Sequence, residues 1–431
     1  MDKESIRSVI ESQKKEIKRA LGARLVKRES AGYLKGFLES DLIKVIIGVR
    51  RCGKSTLALQ ALEGKKYAYV NFDDERFLNV KASDLDPVLE ALYETYGDFE
   101  YLLLDEVQNV VGWELFVSRL RREGINLIVT GSSARLLSAE LATHLTGRHI
   151  SFELFPFSFK EFLEHRNPDF KQTGLVTAED TGKIKKLLAE YLAAGGFPES
   201  YASSDPNKYL RDLYNSILTR DVLGRHGIRH VNTLTDIVSF LVSSFSSPMS
   251  YAKTKKAFDL KSIHTVKNYF SYAEESYLIF SLQPFSFKVK EQVRMPRKTY
   301  VVDTGLITAI GFPGSENRGR LMENAVFSEL MRRKSFNSLM RLNFFRDYQG
   351  REVDFVVRDG LKITELIQAC YDATDQKTRK RETDSLLKAS EELKCRKLTI
   401  LTWDHECEET HGRKKISFTP VWKWMLEGKR R

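Results

Sequence analysis

A glycine-rich segment that ends in a lysine and a serine is the clearest chemical signature in the chain. It has the pattern Gly48-x4-Gly53-Lys54-Ser55 and lies between a β-branched run and a helical pattern. The glycines let the backbone fold tightly round a β-phosphate, and the first amide hydrogens of the helix supply donors. Lys54 would reach the β- and γ-phosphates, and Ser55 would hold magnesium. The predicted ATP-binding residues of this loop are Gly48, Arg51, Cys52, Gly53, Lys54, Ser55 and Thr56.

A second apolar run ends in two adjacent carboxylates, which is the Walker B form. The run Tyr-Leu-Leu-Leu at residues 101–104 is followed by Asp105 and Glu106. Asp105 would orient magnesium through water, and Glu106 would polarise the attacking water as a general base. The predicted metal-binding residues are therefore Ser55 and Asp105.

Two further positions are candidates for contacts with the phosphates. A third apolar run, residues 125–130, is followed by Gly-Ser-Ser, and Ser132 in this segment would sense the γ-phosphate, unless the segment is a plain turn. Arg148 lies at a polar turn before an amphipathic stretch. From there it would meet the nucleotide of a neighbouring subunit, and a surface salt bridge is the alternative. With Lys54 and Glu106, it completes the predicted catalytic set.

The elements that position these residues are strands separated by helices. Apolar runs at 43–47, 67–72, 101–104 and 125–130, with helical patterns between them, predict an α/β fold with a parallel, doubly wound sheet. The Walker B strand is separated from the glycine-loop strand by one insertion. This arrangement is typical of P-loop ATPases that use a catalytic glutamate.

Composition and charge indicate a large globular protein with a polyanionic partner. The 431 residues are enough for several domains, and 69 Lys and Arg against 58 Asp and Glu give a net charge of +11. The four cysteines form no CxxC pair, so neither a zinc site nor a disulfide framework is expected. No signal peptide or membrane-spanning run is visible, which predicts a cytoplasmic protein without a membrane partner.

The middle of the chain predicts a helical region and a winged helix-turn-helix. Residues 184–225 have helical patterns typical of an ATPase lid. Residues 233–287 have the order helix, short helix, helix, strand, with residues 262–273 in the place of the recognition helix. Cations on and after this helix would neutralise DNA phosphates. The alternatives are that the winged helix is a packing or oligomerisation module and that its lysine-rich face is only solvated. These cations are Lys255, Lys256, Lys261, His264, Lys267, Lys288, Lys290, Arg294, Arg297 and Lys298.

The motifs together resemble a known family from about residue 40 to the C-terminus. GVRRCGKST, LLLDEVQNV, VTGSSARLLS, AAGGFPES, KTYVVDTGL and REVDFVV are similar to prokaryotic, archaeal-type AAA-family ATPases with a C-terminal domain of unknown function. The resemblance implies an AAA-type core followed by a domain with a PD-(D/E)xK nuclease fold. It also implies that Lys54, Asp105, Glu106 and the Ser132 region carry the nucleotide chemistry, and it supports Arg148 as an arginine finger.

The resembled nuclease fold requires a helix Glu, a strand Asp and an E-x-K pair, because two carboxylates hold magnesium while the lysine assists the attacking water. Glu323 and Asp354 match, but the E-x-K position reads Gln368-Ala-Cys370. Glu365 would substitute only after a register shift of three residues. We therefore predict a degenerate nuclease fold with Glu323, Asp354 and Gln368 as its remnant, and an active nuclease is the alternative.

The sequence thus predicts an α/β protein with an AAA-type P-loop core, a helical lid, a winged helix and a nuclease-like domain. The expected boundaries are 1–40 for a basic helical segment, then 41–160, 161–232, 233–297 and 298–431 for these four domains. The predicted function is magnesium-dependent ATP hydrolysis coupled to DNA binding or remodelling, with ATP, duplex or branched DNA and a second copy of the chain as partners. The alternatives are a nucleotide-gated protein-interaction switch and a DNA nuclease.

Overall fold

The computed structural model describes residues 1–22, 25–133, 145, 147–167, 177–228, 230–311 and 318–427. The chain divides into two compact units, Met1–Phe155 and Pro156–Arg431. The finer domain boundaries given above stay a prediction. No helix in the described ranges is long and apolar enough to cross a lipid bilayer.

The first unit is built on a parallel five-stranded sheet with the order β2-β3-β4-β1-β5. The strands are β1 (Ile43–Ile47), β2 (Tyr67–Asn71), β3 (Tyr101–Asp105), β4 (Asn126–Gly131) and β5 (His149–Glu153). The parallel α/β sheet predicted from the four apolar runs is confirmed, and β4 lies between β1 and β3. Strand β5 was not predicted. It lies at the sheet edge and is mostly half-exposed, so its sequence alternates polar and apolar residues and lacks a buried run.

Strand β1 is fully buried although it contains a lysine. All five of its residues are buried, as is usual in parallel sheets. The Lys44 ammonium donates to the carbonyl oxygens of Leu38 at 2.9 Å and Ser40 at 2.5 Å. Burial lowers the pKa of Lys44 to about 8. The lysine therefore ties the turn before β1 to the strand through backbone carbonyl groups.

Helices pack on this sheet and along its edge. They are α1 (Lys3–Gly22), α2 (Glu29–Lys35), α3 (Lys54–Ala61), α4 (Leu85–Tyr96) and α5 (Trp113–Arg122). Helix α1 packs against α4 and β2, and α2 packs against α3. The buried amide of Gln13 in α1 donates to the Asn71 carbonyl at 3.0 Å and accepts from the Asn71 N–H at 2.9 Å. It thereby pairs backbone groups that an edge strand leaves open.

The second unit begins with a helical region. It contains α6 (Phe159–Arg166), α7 (Ala178–Ala194), α8 (Pro206–Ser216) and a π-helical segment, Ile217–Leu223. Ser158 and Thr177 are the N-caps of α6 and α7, and each side chain accepts a backbone N–H three residues further on. These capping boxes explain where the two helices begin.

Two glycines after α7 allow the backbone to approach the buried Asp303. The N–H of Gly196 donates to Asp303 Oδ2 at 2.6 Å, and the N–H of Gly305 donates to Oδ1 at 2.9 Å. Gly195 has a φ of +77°, and a Cβ there would lie 1.8 Å from Asp303 Oδ1. Burial raises the pKa of Asp303 to about 6. The GGFPE and DTG segments, separate motifs in the sequence, thus form one structural joint.

Residues 231–301 form helices and a small antiparallel sheet. The elements are α9 (Val231–Ser243), β6 (Ser247–Met249), α10 (Tyr251–Ala257), α11 (Ile263–Glu275), β7 (Ile279–Leu282), α12 (Val289–Arg294) and β8 (Arg297–Val301). Strand β8 is central, since the order is β6-β8-β7. Helix α11 buries Val266 and Phe270, whereas His264 and Lys267 are exposed.

The rest of the second unit is a six-stranded mixed sheet with the order β13-β14-β12-β11-β10-β9. Its strands are β9 (Met340–Arg346), β10 (Glu352–Asp359), β11 (Lys362–Cys370), β12 (Leu398–Thr402), β13 (Cys407–His411) and β14 (Lys414–Pro420). The helices are α13 (Thr304–Ile310), α14 (Arg318–Ser335), α15 (Gln376–Glu392) and α16 (Val421–Leu426). Leu386 and Ala389 of α15 pack with Val353, Leu366 and Ile400 of the sheet in the apolar core.

Candidate active site

The glycine-rich loop is a tight turn that leads directly into α3. Gly48 has a φ of +151°, and a Cβ there would lie 2.1 Å from the Leu154 carbonyl oxygen. Gly53 has a φ of +95° and is the N-cap of α3, whose first residue is Lys54. Glycine adopts both conformations without steric cost. The turn and the close approach of the segment after β5 therefore account for the two glycines.

The other predicted loop residues take different positions around this turn. Arg51 is exposed and has a φ of +66°. Cys52 is fully buried, with its Sγ 3.5 Å from the Leu154 carbonyl oxygen, so it packs inside the loop. Ser55 and Thr56 are half-buried in the first turn of α3.

Lys54 and Glu106 form a buried ion pair between the loop and the end of β3. Lys54 Nζ lies 3.1 Å from Glu106 Oε1. Burial by itself would lower the pKa of Lys54, but the nearby anionic groups, Glu106 foremost and Asp105 among them, together outweigh burial and raise it. Burial opposes ionisation of Glu106 as well, and the Lys54 ammonium, the Gln108 hydrogen bond and the Arg50 charge together overcome this and lower the pKa of Glu106 to about 2. Both groups are therefore charged at neutral pH.

Asp105 is held by hydroxyl groups from neighbouring strands. Tyr69 Oη donates to Asp105 Oδ2 at 2.9 Å, and Thr130 Oγ1 donates to Oδ1. The Ser55 hydroxyl is also hydrogen-bonded to this carboxylate, although burial and the nearby Glu106 charge raise the pKa of Asp105 overall. The two predicted metal-binding residues thus lie together, and their hydroxyl and carboxylate oxygens are donors that suit Mg²⁺.

Ser132 approaches the site through its backbone. Its N–H donates to Glu106 Oε2 at 3.2 Å, and Gln108 Nε2 donates to the same oxygen at 2.5 Å. Thr130 accepts from the Glu106 N–H at 3.1 Å. Thr130 and Gln108 were missed in the sequence. The signal for Thr130 is a polar residue at the end of a buried strand, whereas Gln108 gives no signal beyond following Glu106.

Arg28 is a further residue that was missed in the sequence, and it forms hydrogen bonds with the glycine-rich loop. It is 4% exposed, and its Nη1 and Nη2 donate to the carbonyl oxygens of Cys52 and Phe155, each at 2.6 Å. The residue precedes α2 by one position, in a basic stretch that the sequence did not distinguish from a solvated face. Its hydrogen bonds tie the loop to the segment that follows the edge strand.

Arg148 lies at the far end of the sheet from the glycine-rich loop. It is exposed at the turn before β5, and the next residue, His149, pairs with Ile43 at the start of β1. The loop follows the other end of β1. Arg148 therefore cannot reach the nucleotide site of its own chain by a change of side-chain rotamer.

Most of the predicted nucleic-acid contacts lie on the surface of residues 251–297. Seven are exposed: Lys256, Lys261, His264, Lys267, Lys288, Lys290 and Arg294. Lys255 and Arg297 are half-buried, and the Arg297 guanidinium lies 5.6 Å from the centre of the Tyr251 ring. The prediction for Lys298 is wrong, because it is 1% exposed. In strand β8 the side chains alternate between faces, and that of Lys298 points into the protein.

The predicted nuclease remnant is only partly brought together. Glu323 and Asp354 both contact the Lys298 ammonium. The Gln368 side chain instead accepts from the Asp354 N–H at 3.2 Å and donates to Glu382 at 2.6 Å. Glu365 lies elsewhere on β11, where it accepts from Lys397 and Thr399.

Three family models match consecutive segments of the chain. Residues 40–163 match the model of an AAA domain. Residues 185–316 match a domain of unknown function, DUF8612, and residues 318–424 match another, DUF4143.

Two relatives and one solved structure are also similar to this chain. The uncharacterized protein MJ1544 of Methanocaldococcus jannaschii is 36% identical over 400 residues, which are 89% of this chain and 88% of that protein. An uncharacterized protein of Haemophilus influenzae is 31% identical over 408 residues, 91% of this chain and 96% of that protein. The Walker-type ATPase PABY2304 of Pyrococcus abyssi covers 66% of this chain and 96% of its own, with 15% identity and a TM-score of 0.42. This chain therefore belongs to the same family as MJ1544, and its residues 40–163 form an AAA domain.

Proposed function

We propose that this protein hydrolyses ATP to ADP and phosphate with Mg²⁺, and that its nucleotide state is coupled to nucleic-acid binding. The observation that carries the first part is the convergence of Lys54, Asp105, Glu106 and the Ser132 N–H at one end of the parallel sheet. These are a phosphate ligand, a metal ligand, a proton acceptor and a hydrogen-bond donor, which is the set that phosphoryl transfer to water requires.

The ion pair between Lys54 and Glu106 is the resting arrangement that ATP would replace. Phosphate oxygens compete with the Glu106 carboxylate for the Lys54 ammonium. Once Lys54 turns to the phosphates, Glu106 loses its counter-charge, and its pKa rises from about 2 toward the ordinary value. The carboxylate then becomes a better base for orienting water and accepting its proton. Ser55 and Asp105 would hold Mg²⁺, which when bound neutralises phosphate charge.

Arg148 takes part in this scheme only in an assembly. Because it lies at the opposite end of β1 from the glycine-rich loop, we assign it to the nucleotide of a neighbouring copy. There its guanidinium would stabilise charge that develops on the transferred phosphoryl group.

Replacing the proposed base tests the hydrolysis. We expect Glu106→Gln to lower steady-state ATP turnover by about 10² to 10³-fold while ATP still binds, because the amide cannot accept the proton. Glu39→Gln is the matched control: Glu39 accepts from the Tyr101 hydroxyl at 3.1 Å, at the opposite end of β3. Turnover that survives Glu106→Gln would remove the general-base assignment.

The second part of the proposal rests on residues 231–301. Their order is helix, strand, two helices, strand, the short helix α12 and strand, and it supports a winged helix-turn-helix with α11 as the recognition helix. Lys261, His264 and Lys267 are exposed on or beside α11, and Lys288 and Lys290 lie in the segment that would form the wing. Cations in these places suit the phosphates of a duplex.

Salt-dependent binding tests this surface. We expect the variant with Lys261, Lys267, Lys288, Lys290 and Arg294 all changed to Ala to bind duplex DNA at least about 10-fold more weakly, with a salt slope smaller by roughly one for each phosphate that the variant no longer neutralises. The control changes Lys183 and Lys388 to Ala, since both are exposed cations of the same unit that pair with glutamates. Absence of wild-type binding at low salt would contradict the proposal.

A nucleotide-gated switch with negligible turnover is the second candidate. The Lys54–Glu106 ion pair favours this candidate, because it keeps the carboxylate of Glu106, the proposed base, bound to Lys54 until a nucleotide binds. Wild-type turnover separates the two, because a switch would bind ATP without the Glu106-dependent release of phosphate.

A further inference from the structure

The second unit contains a buried lysine surrounded by three carboxylates. Lys298 of β8 is 1% exposed. Its Nζ lies 2.9 Å from Glu323 Oε1 in α14, 2.6 Å from Glu352 Oε1 and 2.8 Å from Asp354 Oδ1, the last two in β10. An ammonium has three N–H donors, so every donor of Lys298 has a carboxylate partner. We call Lys298, Glu323, Glu352 and Asp354 the lysine–carboxylate cluster.

Two oxygens of the cluster accept hydrogen bonds from other groups of the protein. The Tyr300 hydroxyl donates to Glu323 Oε1 at 2.7 Å, and the Ala369 N–H donates to Asp354 Oδ2 at 3.0 Å. Gln368, at the position where the resembled nuclease fold needs a second metal-binding carboxylate, has its oxygen on the Asp354 N–H and its nitrogen on Glu382. Its amide therefore supports the strand and the neighbouring helix.

The cluster contains its own positive charge, the Lys298 ammonium, without a metal. The surrounding carboxylates raise the pKa of Lys298 well above its ordinary value despite burial, so the ammonium stays charged. Burial and the Asp354 charge raise the pKa of Glu323 to about 7, so three carboxylates do not all compete for the lysine as full anions. Within the described residues, no group of three or more His, Cys, Asp or Glu is arranged to hold a metal ion.

A divalent cation does not fit these residues. Mg²⁺ demands oxygen ligands at about 2.0–2.1 Å in near-octahedral geometry. The space between Glu323, Glu352 and Asp354 is already taken by a positive charge that the same oxygens bind. A second cation would meet repulsion from Lys298 and would have no carboxylate at residue 368.

We propose that the Lys298 ammonium is the permanent cation of this cluster, which holds β8, α14 and β10 together and takes no divalent metal. The lysine–carboxylate cluster thus acts as a joint between the three-stranded sheet and the six-stranded sheet. Residues 231–301 are consequently anchored to the C-terminal domain by a charge network. This inference concerns the second unit alone and stands or falls separately from ATP hydrolysis.

Metal titration of the nucleotide-free full chain tests the absence of a metal. We expect that wild type and Asp354→Asn bind the same amount of Mn²⁺ by electron paramagnetic resonance. We also expect Mn²⁺ to change the melting temperature of both proteins equally. The comparison is between wild type and Asp354→Asn. Mn²⁺ binding or stabilisation that Asp354→Asn removes would overturn the proposal, as would magnesium-dependent plasmid cleavage that this substitution abolishes.

Removing the ammonium tests its role as counter-ion. We expect Lys298→Met to lower the melting temperature of the second unit by about 10 °C, because it leaves buried carboxylates unpaired. Adding Glu323→Gln should recover part of that loss, and this double variant keeps the test usable if the single one does not fold. Lys44→Met is the matched control, since the Lys44 ammonium is held by carbonyl oxygens and Glu323→Gln should not relieve its loss. A stable Lys298→Met protein, or no recovery in the double variant, would overturn the proposal.

Discussion

At the residue scale, two buried lysines of this protein are neutralised by carboxylates from distant parts of the chain. Lys54 pairs with Glu106 in the first unit, and Lys298 pairs with Glu323 and Asp354 in the second. An unpaired charge in such places costs several kcal/mol, so each lysine depends on its carboxylates. In the first unit, the pair is also the group that ATP would rearrange, whereas the lysine of the second unit stays with its carboxylates.

Arg28 gives a prediction at this scale. We expect Arg28→Ala to raise the KM for ATP by about 10-fold with a smaller change in kcat, because the two carbonyl oxygens that hold the loop lose charge-assisted hydrogen bonds. Arg28→Lys should recover little, since an ammonium lacks the planar fork that reaches both carbonyls. The measurement is steady-state kinetics beside a thermal melt. Unchanged KM in a folded Arg28→Ala protein would show that Arg28 is not a positioning residue.

At the element scale, the motifs that looked independent are parts of shared joints. Gln13 connects α1 to the edge strand β2, and Asp303 connects the start of α13 to the turn after α7. Such contacts join elements far apart in sequence, so the conformation of each segment depends on the other. Gly195 of the GGFPE segment is required by the second of these joints.

Gly195→Ala tests that requirement. We expect it to destabilise the second unit by about 2–4 kcal/mol, because φ is +77° and the new Cβ would meet the buried Asp303 carboxylate. Gly182→Ala is the matched control: it lies inside α7 with nothing within 4 Å of its would-be Cβ, and alanine there should be neutral or stabilising by up to about 1 kcal/mol. Urea unfolding measures both. Equal stabilities of the two variants would argue against the joint.

At the scale of the whole molecule, Glu106 in the first unit and Glu323 in the second give pH dependences of opposite sign. The pKa of Glu106 is lowered from 4.5 to about 2, so its contribution to stability is present above pH 4.5 and is lost as the pH falls toward 2. The pKa of Glu323 is raised from 4.5 to about 7. Its contribution is therefore complete below pH 4.5 and is lost as the pH rises through 7.

The pH dependence of the second unit is thus a testable property. We expect its melting temperature to fall by roughly 5 °C between about pH 4.5 and about pH 7. Glu323→Gln should make this change smaller, and Asp303, whose pKa is raised to about 6, accounts for part of what is left. Glu329→Gln is a control in the same helix, because Glu329 pairs with Arg333 at 2.9 Å. Calorimetry over this range checks it, and an unaltered slope in Glu323→Gln would contradict the assignment.

Much of the nucleotide site was predictable because its chemistry depends on short segments. The glycine-rich loop, Asp105 and Glu106 follow buried strands, and apolar runs reveal such strands locally. Strand β5 was missed because edge strands bury little and show no apolar run. Thr130, Gln108 and Arg28 were missed because their roles come from hydrogen bonds across strands and helices, which sequence spacing does not contain.

The sequence by itself determined the parallel sheet, the glycine-rich loop and the residue types that phosphate and magnesium need, since these follow from local periodicity and spacing. Only the tertiary structure decided where the charges lie. It paired Lys54 with Glu106, put Arg148 at the far end of the sheet, and buried Lys298 among carboxylates instead of exposing it. The physical reason is that a charge is neutralised by groups near it in space, and the packing of distant elements determines which groups those are.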